Sequence, residues 1–159
     1  MKILVLSDSH GNYGNVLRAA EAARPDMIFH LGDGWSDAET LHDQLPDIPM
    51  EHVPGNCDFR RREKAEKLLE IRGKRILLCH GHTYEVKYGL DKAEEAARRL
   101  DLDLFLFGHT HVPLVDRQGK TFFMNPGSVG TFRPTYGMVS IEDDRLDCRI
   151  CVLPPARRR

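Results

Sequence analysis

Lys2-Ile3-Leu4-Val5-Leu6-Ser7-Asp8-Ser9-His10-Gly11-Asn12 is the stretch on which the fold turns. Its run of aliphatic residues, rich in branched side chains and too short for a helix, reads as a buried strand. The run ends abruptly in a carboxylate, and an imidazole follows two residues later. In open α/β sheets, ligands bind beyond the C-terminal ends of the strands. Asp8 and His10 can both reach one point there, so what matters next is whether later strands end the same way.

They do. Residues 12–24 carry Val16, Leu17, Ala19, Ala20, Ala22 and Ala23 among polar side chains, a helix capped at Asn12 and stopped before Pro25. A strand over 26–31 then ends in Gly32-Asp33-Gly34, completing a right-handed βαβ unit. Glycines beside Asp33 permit a tight turn and close backbone approach to a ligand. A short helix over 36–45, closed by Pro46 and Pro49, leads to a strand over 50–53 and to Gly55-Asn56-Cys57-Asp58. The charged segment 60–67 reads as exposed. Strands over 67–71 and 75–79 flank a turn at Gly73-Lys74, and the second ends in His80-Gly81-His82. A helix over 88–100 precedes an apolar strand over 102–107, which runs into Gly108-His109-Thr110-His111. Strands over 112–116, 120–124, 136–142 and 145–153 follow. The pattern predicts a single domain over 1–153 and a disordered, Pro-rich basic tail over 154–159.

A chain of 159 residues suits one domain with a substantial core. Lys plus Arg total 23 and Asp plus Glu total 24, a net charge of −1, which leaves no footprint for extended nucleic acid. A small anionic substrate stays open, because local charge decides that. No apolar run nears the roughly 20 residues that span a bilayer, and the N-terminal run lacks a signal peptide's basic flank and cleavage site. The expectation is therefore cytoplasmic, with no membrane contact and with Cys57, Cys79, Cys148 and Cys151 as thiols. Cys148 and Cys151 have a CxxC spacing, but on a strand they point to opposite faces, which favours packing over redox or zinc chemistry.

Taken singly, the strand-end residues have plain readings: Asp33 as a turn residue, Asn56 as an Asx motif, His80 as a hydrogen-bonded strand end. Their repeated position changes this, since parallel strands bring the following loops to one edge. Asp8, His10, Asp33, Asn56, His80, His109 and His111 have the oxygen and imidazole donors of borderline divalent metals. Seven are too many for one tetrahedral ion and suit two ions sharing a carboxylate. None is a cysteine, as a closed structural zinc site would favour. Two divalent ions bring four positive charges against two from Asp8 and Asp33, so even with a bound hydroxide the set stays cationic and attracts phosphate. Such a pair polarises a phosphoryl oxygen and acidifies a bridging water for in-line attack.

Asp8-x-His10, Gly32-Asp33, Gly55-Asn56, His80 and Gly108-His109-x-His111 resemble, in order, the five motifs of the calcineurin-like metallophosphoesterases. The short length, Gly55-Asn56-Cys57-Asp58 and Asn125-Pro126-Gly127-Ser128 are similar to the small prokaryotic YfcE-type phosphodiesterase group. The resemblance implies an α/β fold, a four-layer αββα sandwich of two mixed β-sheets flanked by helices. It implies one metal on Asp8, His10, Asp33 and His111 and another on Asp33, Asn56, His80 and His109, with Asp33 bridging. Manganese is the expected ion; nickel, iron, zinc, cobalt and magnesium are alternatives. The implied reaction is hydrolysis of a small-molecule phosphodiester by a metal-bridging hydroxide. Phosphomonoesterase activity, or a protein-binding scaffold of the retromer-subunit type, are the competing functions, and the intact ligand set favours catalysis. A homo-oligomer is compatible with the sequence.

One position departs from the wider family. Its third motif has a histidine, which helps bind phosphate and protonate the leaving group, where this chain has Cys57. Asn56, Cys57 and Asp58 are placed on the substrate and leaving-group side. His82 and Arg133 are further catalytic candidates, Arg133 as a phosphate clamp. Ser128 is read as bordering the site, and Trp35 as covering the core, with a wall for an aromatic substrate as the alternative.

Overall fold

The computed structural model describes residues 1–59 and 62–156. The exposure expected at residues 60 and 61, and the disorder expected over 157–159, lie outside the described residues. The first sheet grows from β1 (Lys2–Leu6), which pairs in parallel with β2 (Met27–His30) and, through it, with β3 (Met50–His52). Helices α1 (Tyr13–Ala23) and α2 (Trp35–Gln44) make the two crossovers. In the second sheet β5 (Lys74–Cys79), β6 (Leu104–Leu106) and β8 (Thr121–Asn125) run parallel, between antiparallel edges β4 (Glu66–Ile71) and β7 (Leu114–Gln118). Helix α3 (Asp91–Arg99) joins β5 to β6. The hairpin of β9 (Thr135–Glu142) and β10 (Arg145–Val152) then returns to the first sheet, β9 lying antiparallel to β1. The orders are β10-β9-β1-β2-β3 and β4-β5-β6-β8-β7, two mixed sheets as the resemblance implied.

Strand periodicity makes the four layers. Along β1, Ile3 and Val5 face the second sheet and pack with Ile76, Leu78, Leu104 and Leu106. Leu4 and Leu6 face the other way, onto Val16, Ala19 and Ala20 of α1 and Leu41 of α2. On the far side, Leu77, Phe105 and Phe123 pack on Ala93, Ala96 and Ala97 of α3. Each fully buried aliphatic or aromatic side chain stabilises by about 1.5–3 kcal/mol, and alanine on the helix face lets α3 approach closely.

Some boundaries differ from expectation. Helix α3 starts at Asp91 because Gly89, at φ 131°, breaks the chain; two single 3₁₀ turns occupy His82–Tyr84 and Val86–Tyr88. The β4–β5 turn centres on Arg72 and Gly73, one residue early, both with positive φ as tight hairpins demand. Helix α1 starts as read: Asn12 Oδ1 accepts the Asn15 N–H, and the chain leaves through left-handed Arg24. The cysteines are free thiols. Cys148 packs against the inter-sheet core and Cys151 on the α1 side, and burial pushes the Cys148 thiol up to about 12. Arg18 donates to the Pro154 carbonyl, holding the start of the tail near α1. Among the described residues no helix is long and apolar enough to cross a membrane.

Candidate metal centre

The C-terminal ends of β1, β2, β5 and β6 bring their loops together where the two sheets meet. Asp8 is fully buried. Its Oδ2 accepts from Ser7 Oγ at 2.6 Å and from the His109 N–H at 3.0 Å. Its Oδ1 faces Nε2 of His111 at 3.1 Å, of His10 at 3.6 Å and of His80 at 3.8 Å. Asp33 repeats the design: Oδ1 accepts the Cys57 N–H at 2.8 Å, while Oδ2 faces His80 Nε2 at 3.3 Å and His10 Nε2 at 3.8 Å. Burial alone would raise the Asp33 carboxyl, but His80 and the Cys57 amide hold it well below the usual range.

His80 is also fully buried. Its Nδ1–H donates to the Leu31 carbonyl at 2.8 Å, which leaves the Nε2 lone pair aimed at the carboxylates. That nitrogen makes no hydrogen bond. A buried orphan of this kind costs about 1–3 kcal/mol unless something completes it. Burial lowers the His80 pKa, yet the Asp33 and Asp8 carboxylates outweigh it and the net shift is upward. Both excess negative charge and the orphan nitrogen are features that a cation relieves. Two sets of donor atoms lie within 4.8 Å of one another: Asp8, His10 and His111, and Asp8, Asp33 and His80. Asp8 thus stands between the histidines as fully as Asp33 does.

The other expected residues fall around this core. The His109 ring meets His80 edge-on with centroids 5.1 Å apart, outside both tight sets. Asn56 is exposed, its amide donating to Cys57 Sγ at 3.6 Å. Desolvation, then the charge of Asp33, push the exposed Cys57 thiol upward. The His82 ring lies 5.5 Å from that of His80, and its Nδ1 is buried without a partner. Arg133 is exposed on the wall of a hollow that begins at His111. Trp35 sits edge-on to His52, at 4.2 Å, and lines a second hollow with His10 and Cys57, so it borders the site, as the alternative to core cover had it.

At two expected positions the structure shows what the side chain touches. Asp58 was expected beside the substrate, but its carboxylate is taken up by the N–H groups of Asp33, Gly34, Trp35 and Gly55 at 2.7–3.1 Å. It shapes the Asp33 loop. Ser128 also works from behind, donating to the Asp8 carbonyl at 2.7 Å. In the same block Asn125 donates to the Gly108 carbonyl at 2.9 Å, so 125–128 ties the β1 and β6 loops together.

Sequence reasoning missed a buried support. Ser9 Oγ donates to Asp37 at 2.6 Å, which also accepts the Gly11 N–H. The Ser9 proton is thereby committed, so His30 Nε2–H donates to Ser9 Oγ at 3.0 Å, and His30 Nδ1 accepts the Gly32 N–H. Burial drives the His30 pKa down to about 4, matching that neutral form. Asp8, His10, Asp33, His109 and His111 all have left-handed backbones, with φ between 45° and 70°. Such strain in non-glycine residues collects at functional sites. Glycine serves where backbones press closest: a Cβ on Gly55 would sit 2.1 Å from Asp33 Oδ1.

Comparison with known proteins agrees with this geometry. Residues 1–144 match the calcineurin-like phosphoesterase superfamily domain. The chain is 34% identical over 155 residues to the probable metallophosphoesterase YsnB of Bacillus subtilis, covering 94% of this chain and 89% of YsnB. It is 23% identical to the phosphodiesterase YfcE of Escherichia coli, covering 97% and 100%. A crystal structure of a conserved predicted phosphoesterase from Streptococcus pneumoniae superposes with a TM-score of 0.79 at 27% identity, covering 95% of this chain and 88% of that one.

Proposed function

Because the chain belongs to the calcineurin-like phosphoesterase superfamily, we propose that it is a phosphodiesterase acting on small molecules with two divalent ions. The observation that carries this reading is the paired design of Asp8 and Asp33. Each has one oxygen fixed by N–H or O–H donors and the other turned toward the orphan Nε2 of His80. Asp8, His10, His111 and Asp33 would hold one ion, and Asp33, His80, Asn56 and His109 the other, with Asp8 close enough to contribute to both. Manganese suits this mixture of oxygen and imidazole donors. When bound, the ions supply positive charge for the phosphate and acidify water near neutral pH.

The residues themselves orient and exclude. Ser7 and the His109 amide hold Asp8, and the Leu31 carbonyl fixes the His80 tautomer. Hydrolysis joins a water oxygen to phosphorus and breaks one ester P–O bond; the electron pair of that bond and a proton leave with the alcohol. The imidazole that protonates this alcohol in the wider family is replaced by Cys57, whose thiol pKa desolvation and then the charge of Asp33 push upward in the metal-free protein.

The test is hydrolysis of bis(4-nitrophenyl) phosphate with Mn²⁺, before and after chelation. Asp8→Ala and His10→Ala are expected to abolish Mn²⁺-stimulated turnover and weaken Mn²⁺ binding by calorimetry, with the circular dichroism spectrum retained. Persisting activity in both variants would overturn the reading.

A further inference from the structure

Two separate hollows each include one of the candidate ligand histidines in their lining. The larger, about 860 Å³, begins at His111 and is walled by Pro113, Phe132, Arg133, Pro134 and Val152. The smaller, about 320 Å³, begins at His10 and is walled by Trp35, Ser36 and Cys57. Nε2 of His10 and of His111 are 3.4 Å apart, so the two hollows are lined by neighbouring candidate ligands. Phe132 is 98% exposed and Val152 70% exposed at the large hollow. Apolar surface left open beside a reactive centre marks a binding face.

We infer that the two hollows receive the two ester arms of an unsymmetrical phosphodiester: a large, mainly apolar arm beyond His111, and a small, more polar arm against Trp35. This rests on the phosphodiesterase reading and specifies its substrate class. A tetrahedral phosphodiester sends its two arms apart, and the two hollows share no lining residue. The walls match the arms in chemistry. Phe132, Pro113, Pro134 and Val152 offer apolar area, whereas Ser36 and Cys57 offer polar atoms. Arg133 makes no ion pair or hydrogen bond among the described residues, so its charge on the large hollow's rim is available to the anionic phosphate. A phosphomonoester would fill one hollow at most.

The test uses methyl 4-nitrophenyl phosphate, with one large arm, and bis(4-nitrophenyl) phosphate, with two. Phe132→Ala should raise KM about tenfold for both, the loss of one aromatic contact, with kcat little changed. Trp35→Ala should raise KM several-fold more for the bis ester, whose second ring lies against Trp35, than for the methyl ester. Trp35 is the sole tryptophan, so stopped-flow mixing should show strong quenching by the bis ester and weak quenching by the methyl ester. Equal responses of both variants to both esters would overturn the assignment. So would an unchanged KM in Phe132→Ala together with a shift in sedimentation, which would make the large hollow a contact between copies of the chain. Wild-type protein that hydrolyses neither ester with any of the candidate metals would instead remove the phosphodiesterase reading itself.

Discussion

Asp8 and Asp33 each accept backbone or hydroxyl hydrogens on one oxygen and leave the other facing imidazole nitrogens. That division of labour is decided residue by residue, and so is the chemistry at Cys57. A thiol, with an ordinary pKa of about 8.5, is a less suitable proton donor to a leaving alcohol than imidazole, near 6.5. General-acid help is typically worth roughly 10²–10⁴-fold. Aryl phosphodiesters, whose phenolate leaves unaided, should therefore turn over at least a hundredfold faster than dialkyl ones, about the low end of that range. Cys57→His should raise alkyl turnover and leave aryl turnover little changed. Equal aryl and alkyl rates in the wild type would contradict this account. Asp8, His10, Asp33, His80, His109 and His111 were legible in sequence because each follows a strand. The supporting residues were not. Asp58 looks like one more carboxylate in a motif, and only the fold shows its four amide partners.

At the scale of elements, β1 and β2 are locked side by side beneath the site by Ser9, His30 and Asp37. No sequence rule pairs a serine at the end of β1 with an aspartate inside α2, 28 residues on. The network carries a pH signature. The unfolded chain takes up the His30 proton near 6.5, whereas the folded chain does so only near 4. Between those values the unfolded state binds more protons, so stability falls as pH drops. From neutral pH to pH 5 this one group should cost on the order of 2 kcal/mol. His30→Gln keeps a donor toward Ser9 without a titrating ring. In urea unfolding of metal-free protein, it should lose about that much less stability between pH 7 and pH 5 than the wild type. Parallel losses would show that His30 is not the group responsible. Strand and helix identities were largely readable from periodicity. The start of α3 was not, because it depends on the backbone angle of Gly89.

Across the whole molecule, the site draws on both sheets: Asp8, His10 and Asp33 from the first, His80, His109 and His111 from the second. A bound ion is thus a tie between sheets, and it should register in global stability. At about 100 times its Kd, one ion adds roughly 3 kcal/mol. For a domain of this size that raises Tm by roughly 5–10 °C. Chelation should reverse the rise, and Asp8→Ala should not show it; an equal rise in that variant would place the ion elsewhere. The layering was legible through the family resemblance, and the unbroken apolar run Ile3–Leu6 of β1 fits it by requiring cover on both faces. The return of β9 to β1 was not, since a C-terminal hairpin can add to either sheet.

That return has a consequence for the chain's birth. Lys2 pairs with Ser140 and Val5 with Gly137. Made at roughly 5–20 residues per second, β1 waits on the order of ten seconds at the ribosome for its second neighbour. Throughout that interval one edge of β1 lies bare, while Asp8 gains first His111 and then Ser128 before β9 is made. The candidate metal centre is therefore completed only once His111, from the second sheet, has been made.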